Sequence, residues 1–244
     1  MPIPVLSDTN PLLFFRFNDI EYVDDDSDIS TFNGVSSRGT LPRQLALIPD
    51  VVAVRRLEAS IAPRGDRLAA VAEVAELTMP SEGTDGASAA EHLRSIFAIV
   101  LFKAQTFLFM EPVLARASQL LTLSLHPYIK AATIPKLRDD QIRALVVPAV
   151  RVLAFLHGRG RPHGQLRAAS LALLSDGRVV VESGAERTDT SDGAPYWLAP
   201  EVIEASAGEN TTEMLCRADI WALGITVIEL LDGVPPYARL NPVR

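Results

Sequence analysis

Residues 193–203 read GAPYWLAPEVI, and the rest of the chain is best interpreted outward from this stretch. A polar loop separates it from residues 219–233, which read DIWALGITVIELLDG. The second segment predicts a helix over residues 219–231 that is apolar on nearly every face. A helix of this kind belongs inside a large protein, where other elements pack on all its sides. We therefore expect a packed loop followed by a central buried helix.

Charge and cysteine content limit the possible partners. The 244 residues carry a formal net charge of −7, and six acidic residues without a basic one lie between Asp19 and Asp28. The remainder is nearly neutral, which argues against a nucleic-acid surface, because such a surface needs clustered Lys and Arg. The single cysteine, Cys216, fits a reducing compartment. No apolar run is long enough to span a bilayer. The sequence predicts a cytoplasmic protein with neither nucleic-acid nor membrane partners.

Strand patterns dominate the first part of the chain. Residues 1–28 are interpreted as an acidic N-terminal extension with one strand. Runs of Val, Ile and Leu, broken by Gly, Pro and Asp, predict a meander of five strands between residues 29 and 110, one of them at residues 41–47. The last two, IFAIVLF and QTFLFM, should be joined by a tight turn at Lys103 and Ala104. Apolar residues at helical spacing predict one helix at residues 66–77.

Helix patterns dominate the second part. We expect helices at residues 115–125 and 139–157, and Pro148 should kink the second by removing a backbone hydrogen bond. The second helix should carry an apolar stripe of Ile142, Leu145, Ala149, Leu153 and Leu156. Residues 171–183 predict a short strand pair around an Asp-Gly turn. A strand-rich part followed by a helical part predicts an α+β protein with two lobes.

The best-preserved motifs resemble those of eukaryotic protein kinases. Ala199, Pro200 and Glu201 match the Ala-Pro-Glu signature. DIWALG resembles the start of the family's central helix, and this implies that Asp219 steadies the catalytic-loop backbone. The segment GITVIELLDGVPPY most resembles kinases of the STE20 and MAP-kinase-cascade branch.

Upstream segments extend the resemblance back to about residue 29. In FLFMEP, Met110 matches the gatekeeper, and Glu111, Pro112 and Val113 match the hinge. VVAVRR resembles the third strand of the family, and NGVSSRG resembles its glycine-rich loop, with Gly34 and Gly39 as the first and third glycines.

The resemblance implies a two-lobed kinase-like domain over residues 29–244. Residues 29–110 would form a small five-stranded N-lobe with one helix, 111–113 the hinge, and 114–244 a mainly helical C-lobe. The family's last helices should follow residue 244, so we expect a partial C-lobe that leaves apolar faces of its central helix uncovered.

The residues expected to transfer phosphate depart from the family pattern. Arg55 stands at the position of the strand lysine, with Glu73 as its expected helix partner and Glu76 as the second choice. Gln165 replaces the catalytic aspartate, and an amide has no useful basicity. Arg167, two residues later, keeps a positive charge that could steer a phosphate.

The implied magnesium ligands are altered as well. Ser170 replaces an asparagine with a shorter and weaker ligand, and Glu182 replaces the aspartate of Asp-Phe-Gly with a longer carboxylate. Magnesium tolerates displaced ligands badly. The resemblance therefore implies a site for ATP but only a weak magnesium site, at Glu182.

Because these departures occur together, we favour a catalytically impaired kinase-like protein over an enzyme. Such a pseudokinase would act as a scaffold or allosteric partner, and the resemblance implies an active kinase of a phosphorylation cascade as its protein partner. Two alternatives stay open: an atypical active Ser/Thr kinase that uses ATP, and an ATP-binding sensor without transfer.

Overall fold

The computed structural model describes residues 5–7, 15–17, 29–36, 51–57, 91–102, 105–123, 137–182, 195–205 and 210–238. The chain divides into two compact units. The first unit comprises Met1–Ser81 and Arg94–Val113, and the second comprises Glu82–Leu93 and Leu114–Arg244. The boundaries at residues 28, 110 and 113 that we derived from the sequence stay predictions.

A six-stranded sheet forms the described part of the first unit. Its strands are β1 (Val5–Ser7), β2 (Phe15–Phe17), β3 (Ile29–Ser36), β4 (Val51–Leu57), β5 (Ile96–Phe102) and β6 (Gln105–Met110). They lie in the order β1-β5-β6-β4-β3-β2. β1 pairs with β5 in parallel, and the other neighbours are antiparallel.

The centre of this sheet holds the core of the first unit. Ile99 and Val100 on β5, and Leu108, Phe109 and Met110 on β6, are at most 1% exposed. Burial of consecutive residues means that both faces of these strands are covered, which explains their unbroken apolar runs. Phe102 and Gln105 are register partners, so β5 and β6 form the predicted hairpin.

The sheet differs from the expected one at its N-terminal end. β1 and β2 lie within residues 1–28, where we expected one strand, and they pair with β5 and β3. Short strands of this kind leave little local signal because their backbone partners are distant in sequence. The strand predicted at residues 41–47 and the helix predicted at 66–77 lie outside the described residues.

The second unit contains a small sheet and four α-helices among its described residues. The sheet has the order β7-β8-β9, with β7 at Ala115–Arg116, β8 at Leu171–Leu173 and β9 at Val179–Val181. The helices are α1 (Ala117–Leu123), α2 (Asp139–His157), α3 (Pro200–Glu204) and α4 (Thr212–Asp232). The predicted strand pair is confirmed, and its turn places Gly177 at a φ of 86°.

Helix α2 has the bounds that the sequence predicted, and it continues across Pro148, which is buried. Its N-terminus is favoured by Asp139 and Asp140, whose negative charges lie in the first turn. The apolar stripe is confirmed, since Ile142, Leu145 and Leu153 are buried together with other members of that face.

Two helix boundaries were predicted wrongly. The helix expected from residue 115 begins at Ala117, because Ala115 and Arg116 instead form β7 and pair with Leu173 and Ala172 of β8. α4 begins at Thr212 rather than at residue 219, because the Thr211 hydroxyl caps it by accepting a hydrogen bond from the backbone of Met214. The apolar pattern marked only the later turns of this helix.

The expectation that α4 is buried all round was also wrong. Its buried residues are Asp219, Ala222, Thr226, Glu229 and Leu230. Four large apolar side chains on other faces are 39–56% exposed: Ile220, Trp221, Ile228 and Leu231. The buried face carries three polar side chains: Asp219, Thr226 and Glu229. No helix in the described part of the chain is long and apolar enough to cross a membrane.

Candidate functional site

The candidate site surrounds the catalytic loop, defined here as residues 163–170, which follows α2 and leads into β8. Asp219 on the buried face of α4 binds its first residues. One carboxylate oxygen, Oδ2, accepts hydrogen bonds from the His163 N–H at 2.7 Å and from His157 Nε2 at 2.8 Å. The other oxygen accepts from the Gly164 N–H at 2.8 Å. Asp219 therefore steadies this backbone, as the resemblance implied.

Glu229, farther along the same face of α4, binds the later part of the loop. Its Oε2 accepts hydrogen bonds from the Ala168 N–H at 3.0 Å and from Trp197 Nε1 at 2.9 Å. Burial raises the pKa of the Glu229 carboxyl, although both hydrogen bonds and the charge of Arg167 oppose that rise. One carboxylate thus ties the catalytic loop to the segment that contains Trp197.

His163 connects the catalytic loop to the residue after β9. Its Nε2 lies 2.7 Å from the backbone oxygen of Glu182, and its Nδ1 lies 3.3 Å from the backbone nitrogen of Gln165. A carbonyl only accepts and an amide N–H only donates, so the proton of the neutral ring is on Nε2. Both ring nitrogens are used in structural contacts, and the side chain is 5% exposed. His163 is therefore a structural residue.

The polar positions of the loop are bound into its own backbone. The Ser170 hydroxyl donates to the backbone oxygen of Gln165 at 2.8 Å, and the Glu182 N–H donates to the backbone oxygen of Ser170 at 2.8 Å. The Arg167 guanidinium lies 5.8 Å from the centre of the Trp197 ring, within the range of a cation–π contact. The arrangement provides an ordered loop with an amide at the position of the expected base.

Glu182 is held by a residue that the sequence did not single out. Its Oε1 lies 2.9 Å from Nη2 of Arg116, and each side chain is 1% exposed. Arg116 Nη1 also donates to the backbone oxygen of Ala169 at 3.1 Å. A buried carboxylate needs a compensating charge or hydrogen bonds, and here an arginine provides both.

The oxygen atoms of Glu182 and Ser170 do not fit the magnesium ion that the resemblance implies. Magnesium needs near-octahedral oxygen ligands at about 2.0–2.1 Å and usually keeps several waters. The Glu182 carboxylate is bound to a guanidinium, and the Ser170 hydroxyl donates its proton within the loop. Within the described residues, no three His, Cys, Asp or Glu side chains form a group that could hold a metal.

In the first unit, Met110 is fully buried at the end of β6. The next residue, Glu111, donates its N–H to the Ser95 backbone oxygen at 3.0 Å and accepts at its own carbonyl from Arg94 Nε at 2.9 Å. Val113 is half-buried. These contacts order the segment that the sequence assigned to the gatekeeper and hinge, while the assignment itself stays a prediction.

Two further predicted residues lie in the sheet of the first unit. Arg55 occupies the β4 position opposite Thr31 of β3 and Leu108 of β6, and Gly34 occupies the β3 position opposite Val52. Gly39, Glu73 and Glu76 lie outside the described residues, so the expected pair between Arg55 and Glu73 stays a prediction.

Sequence reasoning missed two residues that organise the second unit: Arg116 and Glu229. Arg116 had a weak signal, since it is the one basic residue in the small and apolar segment VLARASQLL. Glu229 is likewise the one charged residue between Asp219 and Leu231. A charge isolated in an apolar segment is rarely buried without a partner, so each had a partner to be sought.

Comparison with known proteins finds two serine/threonine-protein kinases that are similar to part of this chain. No protein-family model matches the chain. The chain is 34% identical over 117 residues to serine/threonine-protein kinase hippo of Drosophila melanogaster, a match that covers 44% of this chain and 17% of that protein. It is 36% identical over 104 residues to serine/threonine-protein kinase ppk11 of Schizosaccharomyces pombe, which covers 39% of this chain and 31% of that protein.

The matched segments are therefore less than a third of the length of each relative. Both relatives are serine/threonine kinases by name, and both matches exceed 30% identity. Together with the mixed strand and helix architecture and the contacts of Asp219, this partial similarity supports a relationship between the chain and STE20-like members of the protein kinase superfamily.

Proposed function

We propose that this protein is a catalytically impaired kinase-like protein that acts by binding a protein partner in a phosphorylation cascade in the cytoplasm. One observation carries the proposal: the catalytic loop keeps its structural supports, while an amide stands at the position of its base. Asp219, Glu229 and His163 all bind the backbone of this loop or of the residue after β9.

The supports and the chemistry of the loop are separable. The supports are backbone contacts that fix the loop's shape, and a binding role requires that shape. Phosphate transfer also needs a group that accepts the substrate proton, which the side-chain amide of Gln165 does not do. Loss of a general base typically lowers the rate by about 10²- to 10⁴-fold. That loss supports a binding role over an efficient enzyme.

Other positions are expected to lower the rate further. An arginine at position 55 keeps the charge of the family's lysine, but its planar guanidinium needs more space than a compact ammonium. Losses at residues that act together do not add simply. Even so, none of these changes supplies the missing base, so we expect transfer close to background.

An assay with purified protein, radiolabelled ATP, magnesium and a general protein substrate tests this proposal. We expect wild-type transfer to match that of the Arg55→Ala variant, because neither protein has a working base. Arg217→Ala serves as the matched control, since Arg217 lies on the surface of α4 and is 75% exposed. Wild-type transfer that persists in Arg217→Ala and disappears in Arg55→Ala would overturn the proposal and establish an active atypical kinase.

A nucleotide sensor is the second candidate, because the resemblance implies an ATP site. The ordered segment from Met110 to Val113 favours it, since that segment matches the gatekeeper and hinge. Thermal unfolding with ATP, in the presence and absence of magnesium, separates a sensor from a nucleotide-free scaffold. A rise in Tm with ATP indicates a sensor, and an unchanged Tm at millimolar ATP excludes it.

The partner proposed here is an active kinase of the same cascade. Sedimentation of the purified chain with an active STE20-like kinase tests this part directly. A complex that forms at micromolar concentrations and changes the rate of the active kinase is the expected result. No complex, and no change in that rate, would count against this choice of partner.

A further inference from the structure

The buried ion pair between Arg116 and Glu182 has no role in the function proposed above. Its two side chains come from different strands of the small sheet: Arg116 ends β7, and Glu182 follows β9. β8 lies between these strands, so the arginine side chain reaches past β8 to the carboxylate. Both side chains are 1% exposed, which removes them from competing water and salt.

Several contacts fix the position of the guanidinium. The Arg116 backbone is in register with Ala172, and its N–H donates to Gln119 Oε1 at 2.8 Å. At the other end, Nη1 donates to the Ala169 oxygen at 3.1 Å and Nη2 to Glu182 Oε1 at 2.9 Å. The guanidinium of an arginine carries a positive charge in proteins. The Glu182 carboxylate therefore has a cation of the protein itself beside it.

We propose that the Arg116 guanidinium is the built-in cation of this site and takes the place of the divalent metal that the kinase resemblance implies at Glu182. A metal ion would have to come within about 2.0–2.1 Å of a carboxylate oxygen and bring its own waters. One of the two carboxylate oxygens, Oε1, already accepts from Nη2, and the positive charge of the guanidinium repels a second cation. Glu182 is thus a structural anion that joins the end of β9 to β7.

This inference is independent of the proposed scaffold function. A protein without a base at position 165 would be a poor enzyme whether or not it bound magnesium. Conversely, a metal-free Glu182 is compatible with an active or an inactive chain. Metal binding and phosphate transfer therefore test two different statements.

Mn²⁺ is a suitable probe because its binding can be followed by electron paramagnetic resonance and by thermal unfolding. We expect that Glu182 of the wild-type chain does not bind Mn²⁺. The signal of free Mn²⁺ should then be the same with wild type as with Glu182→Gln, and Mn²⁺ should not change the Tm of wild type. In Arg116→Met, the carboxylate loses its cation, and Mn²⁺ should raise Tm. The expected rise is about 3–6 °C once Mn²⁺ reaches about ten times its Kd.

Three variants make this result specific. Adding Glu182→Gln to Arg116→Met should abolish the response, because the ligand is then gone. Arg116→Lys keeps a cation near the carboxylate and should not respond. Arg217→Met removes an arginine from an exposed ion pair with Glu213, whose side chains are 75% and 76% exposed, and should not respond either.

Two results would overturn the proposal. The first is saturable Mn²⁺ binding by the wild-type chain that is lost in Glu182→Gln. The second is a folded Arg116→Met variant whose Tm does not change with Mn²⁺. If Arg116→Met does not fold, the proposal is tested by comparing Mn²⁺ binding in wild type and in Glu182→Gln. The Gln side chain can still accept a hydrogen bond from Arg116, so this variant should fold. Absence of Mn²⁺ binding in both proteins supports the proposal.

Discussion

Replacement of Glu229 is a direct test of how α4 holds the catalytic loop. The Glu229→Met variant keeps a long side chain but removes both acceptor oxygens. It leaves the Ala168 N–H and the Trp197 Nε1–H without the partner that they have at 3.0 Å and 2.9 Å. Glu229→Gln is the matched control, because one carbonyl oxygen can accept both bonds while the negative charge is removed.

The expected loss follows from the surroundings of the two donors. A buried donor left without a partner costs about 1–3 kcal/mol. Ala168 is fully buried, so its N–H should cost an amount in the upper part of that range, whereas Trp197 is half-buried and water can replace its bond in part. We expect Glu229→Met to be about 2–4 kcal/mol less stable than wild type, and Glu229→Gln to lie within about 1 kcal/mol.

Urea unfolding followed by tryptophan fluorescence measures this difference. Both tryptophans, Trp197 and Trp221, belong to the second unit, so the signal reports on the unit that contains the change. Equal stability of the Met and Gln variants would refute the reasoning, because it would mean that the two hydrogen bonds contribute nothing.

The difference in stability between wild type and Glu229→Gln should depend on pH. The pKa of Glu229 is raised above its ordinary value of 4.5, so the folded state binds this proton more tightly than the unfolded state. At a pH above the pKa that Glu229 has in the folded protein, the full cost of burying its negative charge lowers stability. At a pH below the pKa that it has in the unfolded protein, this cost is absent. As pH falls through that interval, wild type should gain stability relative to Glu229→Gln. A constant difference between about pH 7.5 and about pH 4.5 would contradict this explanation.

Two further predictions concern the elements around the loop. Asp219→Asn replaces one of two acceptor oxygens by an amide group that donates and that faces other donors. We expect urea unfolding to show a free energy of unfolding about 2–4 kcal/mol lower than that of wild type. The control, Glu204→Gln on exposed α3, should change this free energy by less than about 0.5 kcal/mol. Pro148→Ala should restore a backbone bond inside α2. Replacing proline by alanine inside a helix gains about 3 kcal/mol in helix propensity, and the loss of two buried methylene groups costs roughly 1.5 kcal/mol. We therefore expect Tm to rise. A lower Tm would show that the packing of the proline ring stabilises the protein more than the restored hydrogen bond does.

The sequence predicted the elements whose signal is local. The apolar stripe of α2 repeats at helical spacing within one segment, so both of its ends were found. The hairpin of β5 and β6 was found because unbroken apolar runs flank a short connection. The kinase resemblance also came from continuous motifs, such as Ala199, Pro200 and Glu201.

Elements and contacts that depend on distant partners were not found. β7 is two residues long and exists because its backbone pairs with β8, which lies more than fifty residues later in the chain. The apolar pattern of a segment indicates which of its residues tend to be buried. It does not indicate which face of the helix packs against which other element. For this reason the pattern of α4 predicted burial on every side, whereas the structure exposes Ile220 and Trp221.

The predicted departures from the kinase pattern, including Gln165 and Glu182, came from the sequence alone, because a motif can be compared with the family residue by residue. What Glu182 does instead was decided by tertiary structure. Its cation, Arg116, is 66 positions away and comes beside it only when β7, β8 and β9 assemble. Local patterns carry no record of such a pair, since the favourable energy of a buried ion pair depends on the geometry that the fold creates.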